Sequence, residues 1–201
     1  MEVDAARLVR WCDGFAERHG EPVRVVRDGV ALLLTGSDGD VAQILPPFPW
    51  PDRVTDPAAG AAFLAELGRC AVLLVRRGGY ACAVVDGERV TTSKVGTRRV
   101  QGRTAAGGWS QQRFAHRREN QARELVQAAA DVAARILLPV AFDWLVTGGD
   151  VALVTQALAD PRLKPLADLP RGPHLAIGDP RADVVRAVPG QMRRLRIRLS
   201  S

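Results

Sequence analysis

A chain of 201 residues, 47% hydrophobic and 25% charged, is long enough to bury one well-cored domain with a small extension. No apolar run reaches the length of a membrane span, and Glu2 and Asp4 stand where a signal peptide carries lysine or arginine; both features argue against membrane or secreted readings and for the cytoplasm. The formal net charge of +6 is unevenly placed: residues 94–123 hold eight lysines and arginines against Glu119 alone, an electrostatic footprint suited to a polyanion.

The predicted elements run as follows. Residues 4–19 form a helix, with Leu8, Trp11, Cys12 and Phe15 at helical spacing. Strands at 23–27 and 30–34 meet at Asp28-Gly29, a hairpin signal. The proline-rich stretch 45–57 (LPPFPWPDRVTDP) reads as a loop or linker, followed by a short helix over 57–68. Apolar strands at 70–76 and 80–86, around Arg77-Gly78-Gly79, suggest a central hairpin, and 89–101 continues that sheet. A loop of small residues fills 102–109. A long helix over 110–138 is stopped by Pro139. A strand at 142–147, a turn at Gly148-Gly149 and a helix over 150–159 capped by Asp150 come next. A short strand covers 174–177, and Asp179 caps a helix with Pro180 at its first position. Leu195, Ile197 and Leu199 alternate with arginines as a final half-buried strand. The fold class is α/β: a mixed sheet with flanking helices over 61–201, preceded by a small α+β extension over 1–60. Cys12, Cys70 and Cys82, odd in number and without C-x-x-C spacing, read as reduced thiols in apolar surroundings, and no metal or nucleotide motif is present.

The segment RRVQGRTAAGGWSQQRFAHRREN carries the most functional information. Ala105 and Ala106 keep the chain thin, while Gly107 and Gly108 permit backbone angles and close approach that side chains forbid. Ser110 reads as the N-cap of the long helix; as a nucleophile it fails the G-x-S-x-G pattern, because Gln112 fills the last glycine position. His116 has no local acid partner. Arg113, Arg117 and Arg118 sit near the helix N-terminus, where positive charge costs roughly some tenths of a kcal/mol each. A bound anion reverses that penalty. The continuous apolar face, Leu125, Ala129, Val132 and Ile136, begins late, so the helix is expected to pack by its C-terminal half and project its basic start outward. Gln111 and Gln112 are uncharged. An amide there holds water by donating and accepting at once, and it also reads as an ordinary solvated helix residue.

GGWSQQRFAHRREN resembles the catalytic loop and following helix of archaeal and eukaryotic class-1 peptide release factors, which carry Gly-Gly-Gln, a serine and an R-F-A-R-like run. Gly107, Gly108, Ser110, Arg113, Phe114 and Ala115 match in register, whereas Trp109 occupies the glutamine position. The sequence is most similar to actinobacterial members of the Vms-like release factors of ribosome-associated quality control, which use a shifted glutamine. The likeness runs from about Cys70 to the C-terminus, through VQGRT and GGDVALVTQALADPRLKPLADLP. It implies a release-factor middle-domain fold of RNase H-like type. It also implies hydrolysis of peptidyl-tRNA at the large ribosomal subunit without a codon-reading domain. Gln111, with Gln112 in reserve, is then the catalytic glutamine. Gly107 and Gly108 admit the loop. Arg98, Arg99, Arg103, Arg113, Arg117 and Arg118, with Trp109, meet RNA. Ribosomal RNA and peptidyl-tRNA are the implied partners, no cofactor is called for, and a monomer is the default for a protein entering a ribosomal cleft. The rival reading is a non-catalytic RNA-binding factor, in which Trp109 stacks on a base and the glutamines are incidental.

Overall fold

The structure, a computed structural model, describes residues 1–97 and 110–200, with the helical backbone alone described over 110–118. The chain forms two compact units: Met1–Leu67 with Pro189–Ser201, and Gly68–Val188.

The first unit opens with a short strand β1 (Glu2–Val3) and a 3-10 turn at Ala5–Arg7, entered by Asp4, whose carboxylate accepts the Ala6 N–H at 3.1 Å. Helix α1 (Leu8–His19) buries Leu8 and Phe15. The hairpin of β2 (Arg24–Asp28) and β3 (Ala31–Thr35) turns on Gly29, at φ +55°, where the expected glycine is needed. Strand β4 (Val41–Leu45) was not foreseen. The proline-rich stretch after it is no linker. Phe48, Trp50 and Val54 are buried, and the Arg27 guanidinium donates to the carbonyls of Trp50 (2.8 Å) and Pro51 (2.6 Å). Prolines remove backbone donors, so an extended segment can lie against a core without orphaned N–H groups. Helix α2 (Pro57–Ala65) begins with proline at its first turn behind Asp56, which caps Ala59 N at 2.8 Å.

The second unit is built on β5 (Cys70–Arg76), β6 (Gly79–Asp86) and β7 (Arg89–Thr97), an antiparallel meander. The long helix α3 (Ser110–Ile136) leads to β8 (Trp144–Gly149), which pairs in parallel with β5. Helices α4 (Val151–Leu158) and α5 (Lys164–Ala167) then lead to β9 (Arg171–Leu175), parallel to β8. The order β7-β6-β5-β8-β9, antiparallel on one side of β5 and parallel on the other, is the mixed sheet with flanking helices expected of the chain. Strand β5 lies at its centre, which is why six consecutive residues, Cys70 to Val75, are fully buried. Three expected boundaries move. Gly148-Gly149 ends β8 rather than forming a turn, because only glycine fits there: Gly149 has φ +95°, and a Cβ on Gly148 would lie 3.0 Å from the Leu175 carbonyl oxygen. Strand β9 starts at Arg171 instead of His174. Helix α6 (Ala182–Gln191) starts beyond Asp179-Pro180, and the Asp179 carboxylate instead lies over Gly78.

After α6, β10 (Leu195–Ser200) returns to the first unit and inserts between β1 and β4. The resulting antiparallel sheet has the order β1-β10-β4-β3-β2. The alternation foreseen for β10 holds at Leu195 and Ile197, which are buried, while Leu199 is 59% exposed beyond the core. Arg193, just before it, is buried, and donates to the carbonyls of Leu64 (3.0 Å) and Pro189 (2.7 Å), at the ends of α2 and α6.

Candidate functional site

The residues singled out by sequence fall on one structural device, the passage from β7 to α3. Register fixes where it starts. Thr97 pairs with Gly79, Gly79 with Arg76, Val75 with Gly149 and Gly148 with Leu175. The chain therefore leaves β7 at the same end of the sheet where β5, β8 and β9 terminate. In open α/β sheets that carboxyl end is where ligand-contacting loops gather. Arg98, Arg99, Arg103, Gly107, Gly108 and Trp109 lie outside the described residues. Helix α3 begins at Ser110 itself, so Ser110 is its first helical residue rather than its cap. Gln111, Gln112, Arg113, Arg117 and Arg118 all belong to the first three turns of α3, and no acidic residue stands in its first turn.

The anchorage of α3 is in its second half. Leu125, Ala129, Ala130, Val132, Ala133 and Leu137 are buried with Ala71, Leu73, Val75, Cys82 and Val84 of the sheet. The alanines bring the helix backbone close to β6, where the Cys82 thiol contacts the Ala129 carbonyl at 3.7 Å. Burial pushes that thiol up to about 12, so it stays protonated and inert. Cys12 is likewise pushed up to about 12 by burial, with Asp13 adding to it, and none of the three cysteines is in a disulfide. Between Glu119 and Glu124 the side chains are exposed or half-buried. At 1.5 Å per residue, about 21 Å of helix separates Gln111 from Leu125, the first buried side chain described on α3. Of the basic segment's described cations, Arg123 is neutralised by Glu119 one turn away (2.7 Å), whereas Lys94 is exposed and without an ion pair among the described residues.

Two further groups were not anticipated. At the carboxyl end of β8 and β9, His174 Nε2 donates to the Gly149 carbonyl (3.1 Å), and in the neutral ring Nδ1 accepts from the Thr147 hydroxyl (2.9 Å). This pair borders a cleft of about 390 Å³ with Val154, Leu158 and Arg171. The imidazole is occupied in pinning β9 to the glycine end of β8, and among the described residues no carboxylate lines the cleft. Sequence could not join Thr147 to His174, because only strand register brings them together. In the first unit His19 Nδ1 lies 2.9 Å from Asp38 and 3.2 Å from Asp40. The Asp40 backbone N–H and then the His19 ring hold the Asp38 carboxyl below the ordinary carboxylate range. These contacts fasten the β3–β4 turn to the end of α1, together with the Ser37 hydroxyl donating to the His19 carbonyl at 3.3 Å.

Among solved structures, the chain is similar to an archaeal translation termination factor, aRF1, with 13% identity and a TM-score of 0.40. The match covers 94% of this chain and 56% of the other, so the chain spans little more than half that factor's length. Among curated proteins none matches. The family model described as Actinobacteria/chloroflexi VLRF1 release factor matches residues 68–198, well over half of the chain, taking in the whole second unit and most of β10. The chain therefore belongs to the Actinobacteria/chloroflexi VLRF1 release factor family.

Proposed function

We propose that this protein is a codon-independent peptidyl-tRNA hydrolase that releases nascent chains from stalled large ribosomal subunits in the cytoplasm, acting as a monomer. The observation that carries the reading is the family match over the unit whose long helix begins with Ser110-Gln111-Gln112 behind Gly107-Gly108. Gln111 is the residue assigned to position water, with Gln112 the alternative. The water oxygen attacks the ester carbonyl, the bond to the tRNA 3′ oxygen breaks, and that oxygen takes up the proton. An amide does this by orientation and hydrogen bonding rather than by titrating, so no cofactor is invoked. Gly107 and Gly108 give the loop a cross-section narrow enough to enter the peptidyl-transferase centre. Arg98, Arg99, Arg103, Arg113, Arg117 and Arg118 contact RNA phosphates, and Trp109 a base. The buried contacts of the described part of α3, from Leu125 onward, support this, since they tie the helix to the sheet by its second half.

The test is peptide release from stalled ribosome–peptidyl-tRNA complexes. Wild type is expected to release peptide, and Gln111→Ala to bind normally while releasing about 100-fold more slowly or worse. Release by Gln111→Ala at the wild-type rate sinks that assignment and passes it to Gln112→Ala. Charge reversal at Arg113 and Arg117 is expected to weaken ribosome binding. One observation favours a second reading: Trp109 stands where the resemblance places glutamine. A wild-type protein that binds but releases nothing is a ribosome-binding factor without catalysis.

A further inference from the structure

The first unit lies almost wholly outside the family match, apart from the return of the chain through β10. It carries an open groove of about 1060 Å³ between β1, the start of α1 and Arg194. Arg7, Arg10 and Trp11 line it on the helical side. Strand β10 begins just after Arg194, and its Arg196 pairs with Glu2, which also lines the groove. Because Leu195 and Ile197 point into the core, Arg196 and Arg198 stand on the opposite face, exposed, about 6.7 Å apart along the strand. Arg196 lies opposite Glu2 on β1, and Arg198 opposite Gln43 on β4.

Among the described residues, two carboxylates line the groove, and both are engaged. Asp4 caps the 3-10 turn, and Glu2 is 3.8 Å from Arg194. The side chains of Arg7, Arg10, Arg196 and Arg198 have no hydrogen bond or ion pair among the described residues. Trp11 is half-buried, with its ring stacked on Phe15 at 5.8 Å between centroids, so it is held in place while it lines the groove.

We propose that this groove and the outer face of β10 form a second RNA-docking surface, separate from the basic start of α3. The chemistry favours RNA in three ways. Every cationic side chain named is arginine, whose planar fork meets phosphate oxygens two at a time, while the Met1 ammonium in the groove donates to the Ile197 carbonyl. The spacing on β10 presents two such forks to one strand of backbone. A fixed aromatic beside them offers a platform for an unstacked base. The proposal rests on the release-factor reading only for the choice of ribosomal RNA as the probe.

The test uses the full chain with Arg10→Glu and Arg198→Glu combined. Binding is measured to large ribosomal subunits and to protein-free ribosomal RNA, across salt from about 50 to 200 mM. The double variant is expected to bind both about tenfold more weakly or worse, with the salt dependence shallower by about one to two in log–log slope. Its melting curve should match wild type, and Arg10→Lys with Arg198→Lys should keep most of the affinity. Peptide release at saturating protein should be unchanged, which separates failure here from failure of the catalytic reading. Unchanged affinity and slope on both probes overturn the proposal. Weaker binding to intact subunits with unchanged binding to protein-free RNA also overturns it, and assigns the surface to a ribosomal protein.

Discussion

Leu125→Ala tests whether α3 is a lever held only at one end. Leu125 is 2% exposed and is the buried side chain nearest the glutamines among those described. Removing three carbons from a packed site costs about 2–5 kcal/mol, more where the surroundings cannot collapse. Here the floor is the central sheet, where Ala71, Leu73 and Cys82 are fully buried, so a value of about 3 kcal/mol is reasonable. That corresponds to roughly a hundredfold in the opening of the turn it anchors. Among the described residues before it, Ala122 packs against the same cluster but offers only a methyl group, and helices of about 12–15 residues hold themselves only marginally in water. Native-state hydrogen exchange is the assay. Amides 119–128 should lose about 50- to 100-fold of protection, while those of 129–136 follow the global stability. Peptide release at saturating protein should fall as the loop loses its support. Uniform loss along all of α3, or unchanged protection over 119–128, would show that the first half of the helix is held by something other than the Leu125 seam.

Other consequences are local. Arg193→Met removes two charge-assisted hydrogen bonds from buried surroundings and is expected to cost about 3 kcal/mol or more in urea unfolding; a loss under about 1 kcal/mol would refute its role in tying α2 to α6. Gly149→Ala is expected to lower stability by more than about 2 kcal/mol, because φ is +95° and the new Cβ would press on the Val75 carbonyl oxygen; a wild-type melting temperature would contradict the strand pairing there. Asp160 accepts hydrogen bonds from the Arg162 side chain and backbone, which bring its carboxyl down to about 2. A folded-state value below the ordinary one means that its contribution is present above pH 3.8 and is lost as pH falls toward 2. An NMR titration should give a midpoint near 2; a midpoint near 3.8 would break the assignment.

What the sequence made legible was local. Cys70 to Val75 and Tyr80 to Val85 announced a central hairpin by apolar runs around a glycine turn. The Leu125–Ala129–Val132 spacing located the docked half of α3. Asp150 announced a helix start by the side-chain chemistry of capping. What was missed depended on partners distant in sequence. β4 is five residues with glutamine at its centre, and becomes a strand through β3 on one side and β10 on the other. The prolines of 46–51 signalled a loop, but Arg27 and the burial of Phe48 and Trp50 decide that the loop is core. Gly148-Gly149 carries a turn composition, yet the neighbouring backbones of β5 and β9 demand glycine for another reason. At the candidate site, the glutamines and arginines were singled out through one continuous motif, whereas Thr147 and His174 meet only through strand register.

The return of β10 has a consequence for synthesis. The second unit is one continuous stretch, complete once Val188 has emerged from the ribosome that makes it. The first unit waits for the last strand, since β10 fills the place between β1 and β4. Until then β4 presents an open edge and Leu32, Leu34 and Ile44 lack part of their cover. The order of maturation therefore runs against the order of translation. The unit matched by the release-factor family model is whole first, and the amino-terminal unit closes only when β10 arrives.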